Sequence, residues 1–387
     1  MLESRLDKLL KNFLEKGPSG VALSVKKDNQ TLYENYFGYA DLHKKKTITD
    51  KTIYRIYSMS KVVTCVAGLQ LLEQGEFLLT DPLSDYLPEF KDMKVLENGK
   101  LIEADRDILI KDLFTMTSGI TYGGEATEVE RMTSKVMAEV RDKKESEQRS
   151  KLRELTIALA NNPLEFHPGS HWKYGLSHDV IGALIEEVTG MSFGTYLDEH
   201  IFQPLKMNDT FFKIPVAKKN RLAALYDRKE TGELVENTWL DSDAEPIAVF
   251  ESGGAGLHAT LEDYQKFAHC LAKGGTIEGV TILSKNTIEL MAQNHLPDDM
   301  LPELGWNYDN GYGYGLGVRV MTDQTKGGSN STLGEFGWSG LAGTYVFIDP
   351  HKQLSAVYMQ QMLPNFEFYH QPRIRNVIYG GISEGGK

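Results

Sequence analysis

Only two cysteines, Cys65 and Cys270, occur in 387 residues. They lie far apart, each inside an apolar helical run, which predicts two buried free thiols and no structural disulfide. No CxxC, no HExxH and no close group of His, Cys and Asp is present, so no metal site is expected. Nothing calls for an organic cofactor either. No apolar stretch approaches the roughly 20 residues that cross a membrane. The opening segment, MLESRLDKLLKNFLEKG, interleaves its leucines with charge and lacks the apolar centre of a secretory signal. An amphipathic helix and a cytoplasmic protein are the expectation. Positive charge is short as well: 42 Lys and Arg stand against 54 Asp and Glu, a net −12. That balance disfavours a nucleic-acid partner, which needs clustered cations. The one dense charge run, 139–154, carries both signs and reads as a solvated helical face. The ten histidines are scattered and read as structural.

What is present is an ordinary globular composition, 41% apolar and 25% charged, long enough for one large domain or two intimate ones. Residues 20–27 and 31–40 alternate as two strands around the turn Asp28-Asn29-Gln30. A helix is predicted from Ser58 to Gln74, ending at Gly75, and its apolar residues wrap more than one face, the mark of a central buried helix. From about 80 to 250 the pattern is helices and turns: a short helix over 108–116 before Ser118-Gly119, a polar helical stretch over 125–161, a helix over 177–189 closed by Gly190, and another from Ser192 to His200. Thr260 with Asp263 marks a capping box opening a helix that stops at Gly274-Gly275. Beyond 310 the period becomes two, with strands expected over 312–322, 342–348 and 353–361 and a last helix near 372–380. Strands at both ends with helices between them predict an α/β (α+β) fold. A central antiparallel sheet is built from both chain ends and flanked by helices, with an inserted, mainly helical lobe. The sheet lobe would take 1–80 and 250–387 and the helical lobe 81–249, together one intimate catalytic unit with its site in the cleft between them.

Ser58 and Lys61 open the buried helix. A three-residue step puts two helical side chains on one face, so the hydroxyl and the amine can meet. Burial disfavours the charged form of a lysine, and a neutral Lys61 could take the serine proton. Ser60 has no lysine three residues on and serves as an internal control. A second stretch, Trp172 to Asp179, places Tyr174 on a turn ahead of a helix, where a phenol can relay protons if a neighbouring cation supports it. A third, Gly337-Trp338-Ser339-Gly340-Leu341-Ala342-Gly343-Thr344, precedes the strand Tyr345 to Ile348. Its small residues would let a substrate lie along a strand edge, and a backbone N–H there can face an oxyanion.

Together these stretches resemble the serine β-lactamase superfamily, which includes D-alanyl-D-alanine carboxypeptidases, class C β-lactamases and family VIII carboxylesterases. The motifs stand in the family's order: SxxK as Ser58 to Lys61, a YxN-like element at Tyr174, and a KTG-like element at Trp338-Ser339-Gly340. The connecting text also fits, including Asp81-Pro82-Leu83, Thr117-Ser118-Gly119, Ile201 to Leu205, and Ser252-Gly253-Gly254-Ala255-Gly256-Leu257. The resemblance covers nearly the whole chain. It implies that Ser58 attacks a carbonyl and becomes acylated with Lys61 as base. Tyr174 would share in proton transfer, the backbone N–H groups of Ser58 and Leu341 would form the oxyanion hole, and Trp338, Ser339, Gly340 and Leu176 would contact substrate.

Two departures from the pattern matter. Leu176 replaces the Asn of the second motif, so the amide that would hold a substrate amide is missing. Trp338 replaces the Lys that would face a substrate carboxylate, and a neutral indole suits an apolar acyl or alcohol group instead. Both departures are familiar in the esterase branch. The expectation is therefore a serine esterase acting on a small-molecule ester (or amide) through an acyl-enzyme, with neither a nucleic acid nor a membrane as partner and its oligomeric state open. Three alternatives stand beside it: a β-lactamase or D-Ala-D-Ala-type peptidase, an acyltransferase, and a non-catalytic ligand-binding protein of the same fold.

Overall fold

Leucine and phenylalanine recur at helical spacing through the first residues, and they form helix α1 (Leu2–Lys16), with Leu6, Leu10 and Phe13 fully buried. The computed structural model describes residues 2–142, 150–238, 251–305 and 310–382. After α1 the chain forms β1 (Gly20–Lys27) and β2 (Gln30–Asp41), paired antiparallel, followed by the short β3 (Lys46–Thr47). The C-terminal part adds β4 (Tyr312–Tyr314), β5 (Arg319–Met321), β6 (Phe336–Ser339), β7 (Tyr345–Asp349) and β8 (Leu354–Met359). These eight strands make one antiparallel sheet in the order β4-β5-β6-β7-β8-β1-β2-β3. The seam between chain ends is the β1–β8 ladder, running from Ala22 opposite Met359 to Lys27 opposite Leu354. A sheet made from both termini is thus observed, as the sequence predicts.

Strand alternation divides the core. Val21, Leu23 and Val25 with Tyr345, Phe347 and Tyr358 meet α1 and the C-terminal helix on one face. Ala22, Val346, Ile348, Val357 and Met359 join the larger core on the other. That larger core is centred on α2 (Ser60–Gln74), in which every residue from Ser60 to Leu71 is buried. Helices α3 (Glu128–Asp142), α4 (Lys151–Ala160), α5 (Ser177–Thr189) and α6 (Leu261–Ala272) and the C-terminal α7 (Glu367–Tyr379) complete the frame. Thr260 caps α6 by accepting from Asp263 N at 3.2 Å. The capping box is only half made, because the Asp263 carboxylate accepts instead from Asp209 N at 2.6 Å. Both cysteines are buried free thiols, and no helix among the described residues is long and apolar enough to cross a membrane.

Four expectations change. The segment 312–322 is two short strands paired with each other, because Gly315, Leu316 and Gly317 turn the chain: Gly315 N donates to Val318 O at 2.7 Å. The last helix begins at Glu367, five residues before its internal Pro372, because the Asn365 side chain accepts from Glu367 N and starts the first turn earlier. The stretch 125–161 divides into α3 and α4, the latter capped by Ser150, whose hydroxyl accepts from Arg153 N at 3.0 Å. Part of that stretch, 143–149, lies outside the described residues. Ser58 itself is not in the α-helix: it sits in a 3-10 turn, Tyr57–Met59, and α2 begins after it.

Candidate active site

The turn holding Ser58 starts from a strained residue. Tyr57 has φ +43°, a region that side chains rarely adopt, and it lifts Ser58 out of line with α2. Ser58 is half-buried while Lys61 is completely buried, so the hydroxyl is the reachable member of the pair. Lys61 Nζ lies 3.3 Å from Ser58 Oγ, 2.8 Å from the Tyr122 hydroxyl and 2.6 Å from the Gly254 carbonyl oxygen. An ammonium has three protons to donate, and here each has an acceptor. Its charge also lies over the Tyr174 ring, 4.7 Å from the centre.

Each partner arrives on a different segment. The 116–122 segment runs beside 173–177, where Lys173 N donates to Met116 O at 3.0 Å and Ser118 Oγ meets Ser177 Oγ at 2.9 Å. This pairing brings the Tyr122 and Tyr174 rings to 5.5 Å between centres, edge to face. Lys173 anchors the arrangement through ion pairs with Glu130 at 2.9 Å and Glu165 at 3.2 Å. The 252–257 segment is held to α2 by Leu257 N donating to Ser60 Oγ at 3.0 Å and Thr64 Oγ1 donating to Gly253 O at 2.7 Å. Ser60, the internal control, is therefore a structural serine.

The third stretch reaches the same place. Trp338, on β6, donates its indole N–H to the Tyr174 hydroxyl at 3.1 Å, and its ring centre lies 5.5 Å from that of Tyr174. Beyond β6 the chain passes tightly against the residue two before Ser58. Thr344 Oγ1 donates to Ile56 O at 3.2 Å, and a Cβ on Gly340 would overlap that same carbonyl oxygen. Only glycine permits this approach. Ser339 donates to the Glu367 carboxylate at 3.0 Å, and Leu341 is half-exposed, its carbonyl accepting from Asn365 Nδ2 at 3.0 Å. Leu176 does not join them: its side chain is buried in the main core at the start of α5. Its predicted substrate contact is corrected to packing in the main core, since an apolar side chain there gains more from burial than from facing the cleft.

Proton affinities also depart from expectation. Burial pulls the Lys61 ammonium down as the sequence argument requires, but its contacts with Tyr122 and Tyr174 outweigh burial and hold it above an ordinary lysine. The Tyr122 hydroxyl is pushed up by burial against the pull of the Lys61 charge. The resting site therefore holds its protons, and its base form is created as pH rises. His178, beneath Lys61 and 3.6 Å from Cys65 Sγ, falls to about 3 through burial and the nearby ammonium, so it stays neutral and does not compete as a base.

Sequence reasoning missed Tyr122 and the Gly254 carbonyl. Their signals were at hand, since Tyr122 follows the quoted Thr117-Ser118-Gly119 by three residues and Gly254 lies inside the quoted glycine-rich run. Spacing along the chain gives no means of knowing that these two segments converge on Lys61. Among the described residues no group of three or more His, Cys, Asp or Glu is placed to hold a metal ion.

Comparison with known proteins gives the family. The family model described as Beta-lactamase matches residues 6–377. The chain is 30% identical over 362 residues to protein Rv1367c of Mycobacterium tuberculosis, covering 90% of this chain and 86% of that one. It is 27% identical over 378 residues to esterase EstB of Burkholderia gladioli, covering 92% and 89%. The solved structure of EstCE1, a hydrolase with promiscuous acyltransferase activity, superposes with a TM-score of 0.81 at 26% identity and covers 98% of both chains. The match over 6–377 makes the chain a member of the family described as Beta-lactamase.

Proposed function

We propose that the protein is a serine esterase that cleaves a small ester through a Ser58 acyl-enzyme. The observation that carries this reading is the Lys61 amine, fully buried yet within 3.3 Å of a half-buried serine hydroxyl. When the Lys61–Tyr122 pair has lost one proton, it can accept the Ser58 proton as Ser58 Oγ attacks the ester carbonyl. The carbonyl oxygen becomes an oxyanion, and the backbone N–H groups of Ser58 and Leu341 are the donors assigned to it. The Gly340–Ile56 approach supports that assignment by laying the two segments side by side. Collapse of the intermediate expels the alcohol, which takes a proton from the lysine–tyrosine cluster. Water then attacks the acyl group, and the same cluster takes its proton and returns one to Ser58. Tyr174, fixed by the Trp338 indole, completes that cluster.

The substrate side supports an ester over a β-lactam. Leu176 is buried in the core and offers no amide to a substrate, and the one donor of the Trp338 ring, its indole N–H, is engaged with Tyr174. Likeness to an enzyme named as an esterase points the same way. A second reading, acyl transfer to an alcohol or amine in place of water, is favoured by the activity named for EstCE1. Nitrophenol release from a short p-nitrophenyl ester tests the first reading: a burst equal to the enzyme concentration in the wild type, absent in Ser58→Ala, is expected. An active Ser58→Ala protein would overturn it. Adding an alcohol acceptor tests the second, since a transferase diverts the acyl group to a new ester while a hydrolase yields the free acid.

A further inference from the structure

Among the described residues no carboxylate touches the Lys61 ammonium, although the ammonium is completely buried. A buried charge is costly unless it is compensated. The compensating group lies one layer behind, on α5. Asp179, 1% exposed, accepts from Ser252 Oγ at 2.6 Å and from Gly254 N at 3.3 Å, both on its Oδ1. Its Oδ2 has no hydrogen-bond partner among the described residues. Gly254 stands between the two charges: a Cβ there would be 2.6 Å from Asp179 Oδ2 and 3.4 Å from Lys61 Nζ. The same Gly254 gives its carbonyl to Lys61 at 2.6 Å.

We infer that Asp179 is a positioning residue of the active site, fixing the Gly254 carbonyl and supplying the buried negative charge that holds Lys61 between Ser58 and Tyr122. The inference rests on the esterase reading above and deepens it. Two donors converging on one oxygen suit an ionised carboxylate. Ser252 accepts from Ala255 N at 3.2 Å, which directs its own proton to Asp179 and sets the turn that carries Gly254. Other titratable groups facing Lys61 are Tyr122 and Tyr174 from the flanking loops, Cys65 from α2 and His178 from α5. Burial raises Cys65 and lowers His178, so both are neutral. Burial raises the Asp179 carboxyl as well, but the Ser252 hydroxyl, the Lys61 charge and the Gly254 N–H all pull against it and favour its ionised form, which leaves Asp179 as the counter-charge.

The test is Asp179→Asn in the full chain, an isosteric change that can still accept from Ser252 and Gly254 but carries no charge. With a p-nitrophenyl ester, kcat should fall by roughly 10- to 100-fold with KM within about twofold. Without the carboxylate the lysine–tyrosine cluster releases its proton more easily, so the acid limb of the pH–rate profile should move down by about one pH unit. A purely structural role would not move that limb. A folded variant with wild-type rate and profile overturns the inference. Complete loss of turnover does so too, because it makes Asp179 part of the proton transfer itself. If Asp179→Asn does not fold, Ser252→Ala decides: it frees the carboxylate and the turn, and kcat should drop about 10-fold, whereas a wild-type kcat would overturn the inference. Absence of Ser58-dependent turnover in the wild-type protein would instead sink the esterase reading, so the two failures are distinguishable.

Discussion

Replacing Tyr122 by phenylalanine removes one oxygen and leaves the ring in place against Tyr174. That oxygen accepts from the Lys61 ammonium at 2.8 Å, shorter than the 3.3 Å to Ser58 Oγ. A hydrogen bond to a charged group contributes about 1.5–3 kcal/mol, and losing it from the reacting arrangement slows turnover about 10- to 100-fold. The variant has a second signature. Tyr122 helps hold the Lys61 proton affinity above that of an ordinary lysine, and Lys61 works as a base only after losing a proton. Removing a group that raises that affinity moves the acid limb of the rate profile to lower pH. The gap between wild type and variant should therefore narrow as pH falls and widen as it rises. Steady-state hydrolysis of a p-nitrophenyl ester across the pH range, with circular dichroism to verify folding, measures both effects. A folded Tyr122→Phe protein with wild-type kcat and an unmoved acid limb would refute the role given to this phenol.

Other expectations follow from the same geometry. Trp338→Phe keeps an aromatic ring but loses the donor that fixes the Tyr174 hydroxyl at 3.1 Å. It should lower kcat about 2- to 10-fold in steady-state assays, the effect of one neutral hydrogen bond, and an unchanged kcat would free Tyr174 from that dependence. Gly340→Ala forces a Cβ into the Ile56 carbonyl and into Thr344 Oγ1. Destabilisation of about 1–3 kcal/mol, read from urea unfolding, should accompany a loss of turnover larger than the unfolded fraction explains. A wild-type unfolding midpoint would show that the two segments can part without cost.

The layout of the sheet was legible because β1, β7 and β8 are short apolar runs bounded by turns, as strands buried on both faces are. The short strands β4 and β5 were not, because Gly315 and Gly317 interrupt a run of apolar residues that otherwise reads as one strand. The Ser58–Lys61 pair was legible from its spacing, although the 3-10 turn at Ser58 depends on the positive φ of Tyr57, which a tyrosine does not announce. Proton affinity was the hardest feature to read. Burial of Lys61 can be inferred from the apolar helix around it, but the Tyr122 hydroxyl and the Gly254 carbonyl come from segments 61 and 193 residues away. Contacts with Tyr122 and Tyr174 outweigh burial and set the direction of the shift. Leu176 shows the converse: its place in a family motif pointed to substrate, while its apolar side chain followed burial into the core.

The central claim is that Ser58 carries the acyl group, and intact-protein mass spectrometry tests it most directly. Wild-type protein and Ser58→Ala are each quenched shortly after mixing with a short p-nitrophenyl ester, then digested to locate any adduct. The account predicts one added acyl group on the wild type, mapped to the peptide containing Ser58 and absent from the variant. An acyl group on another residue, or the same adduct on Ser58→Ala, would contradict it.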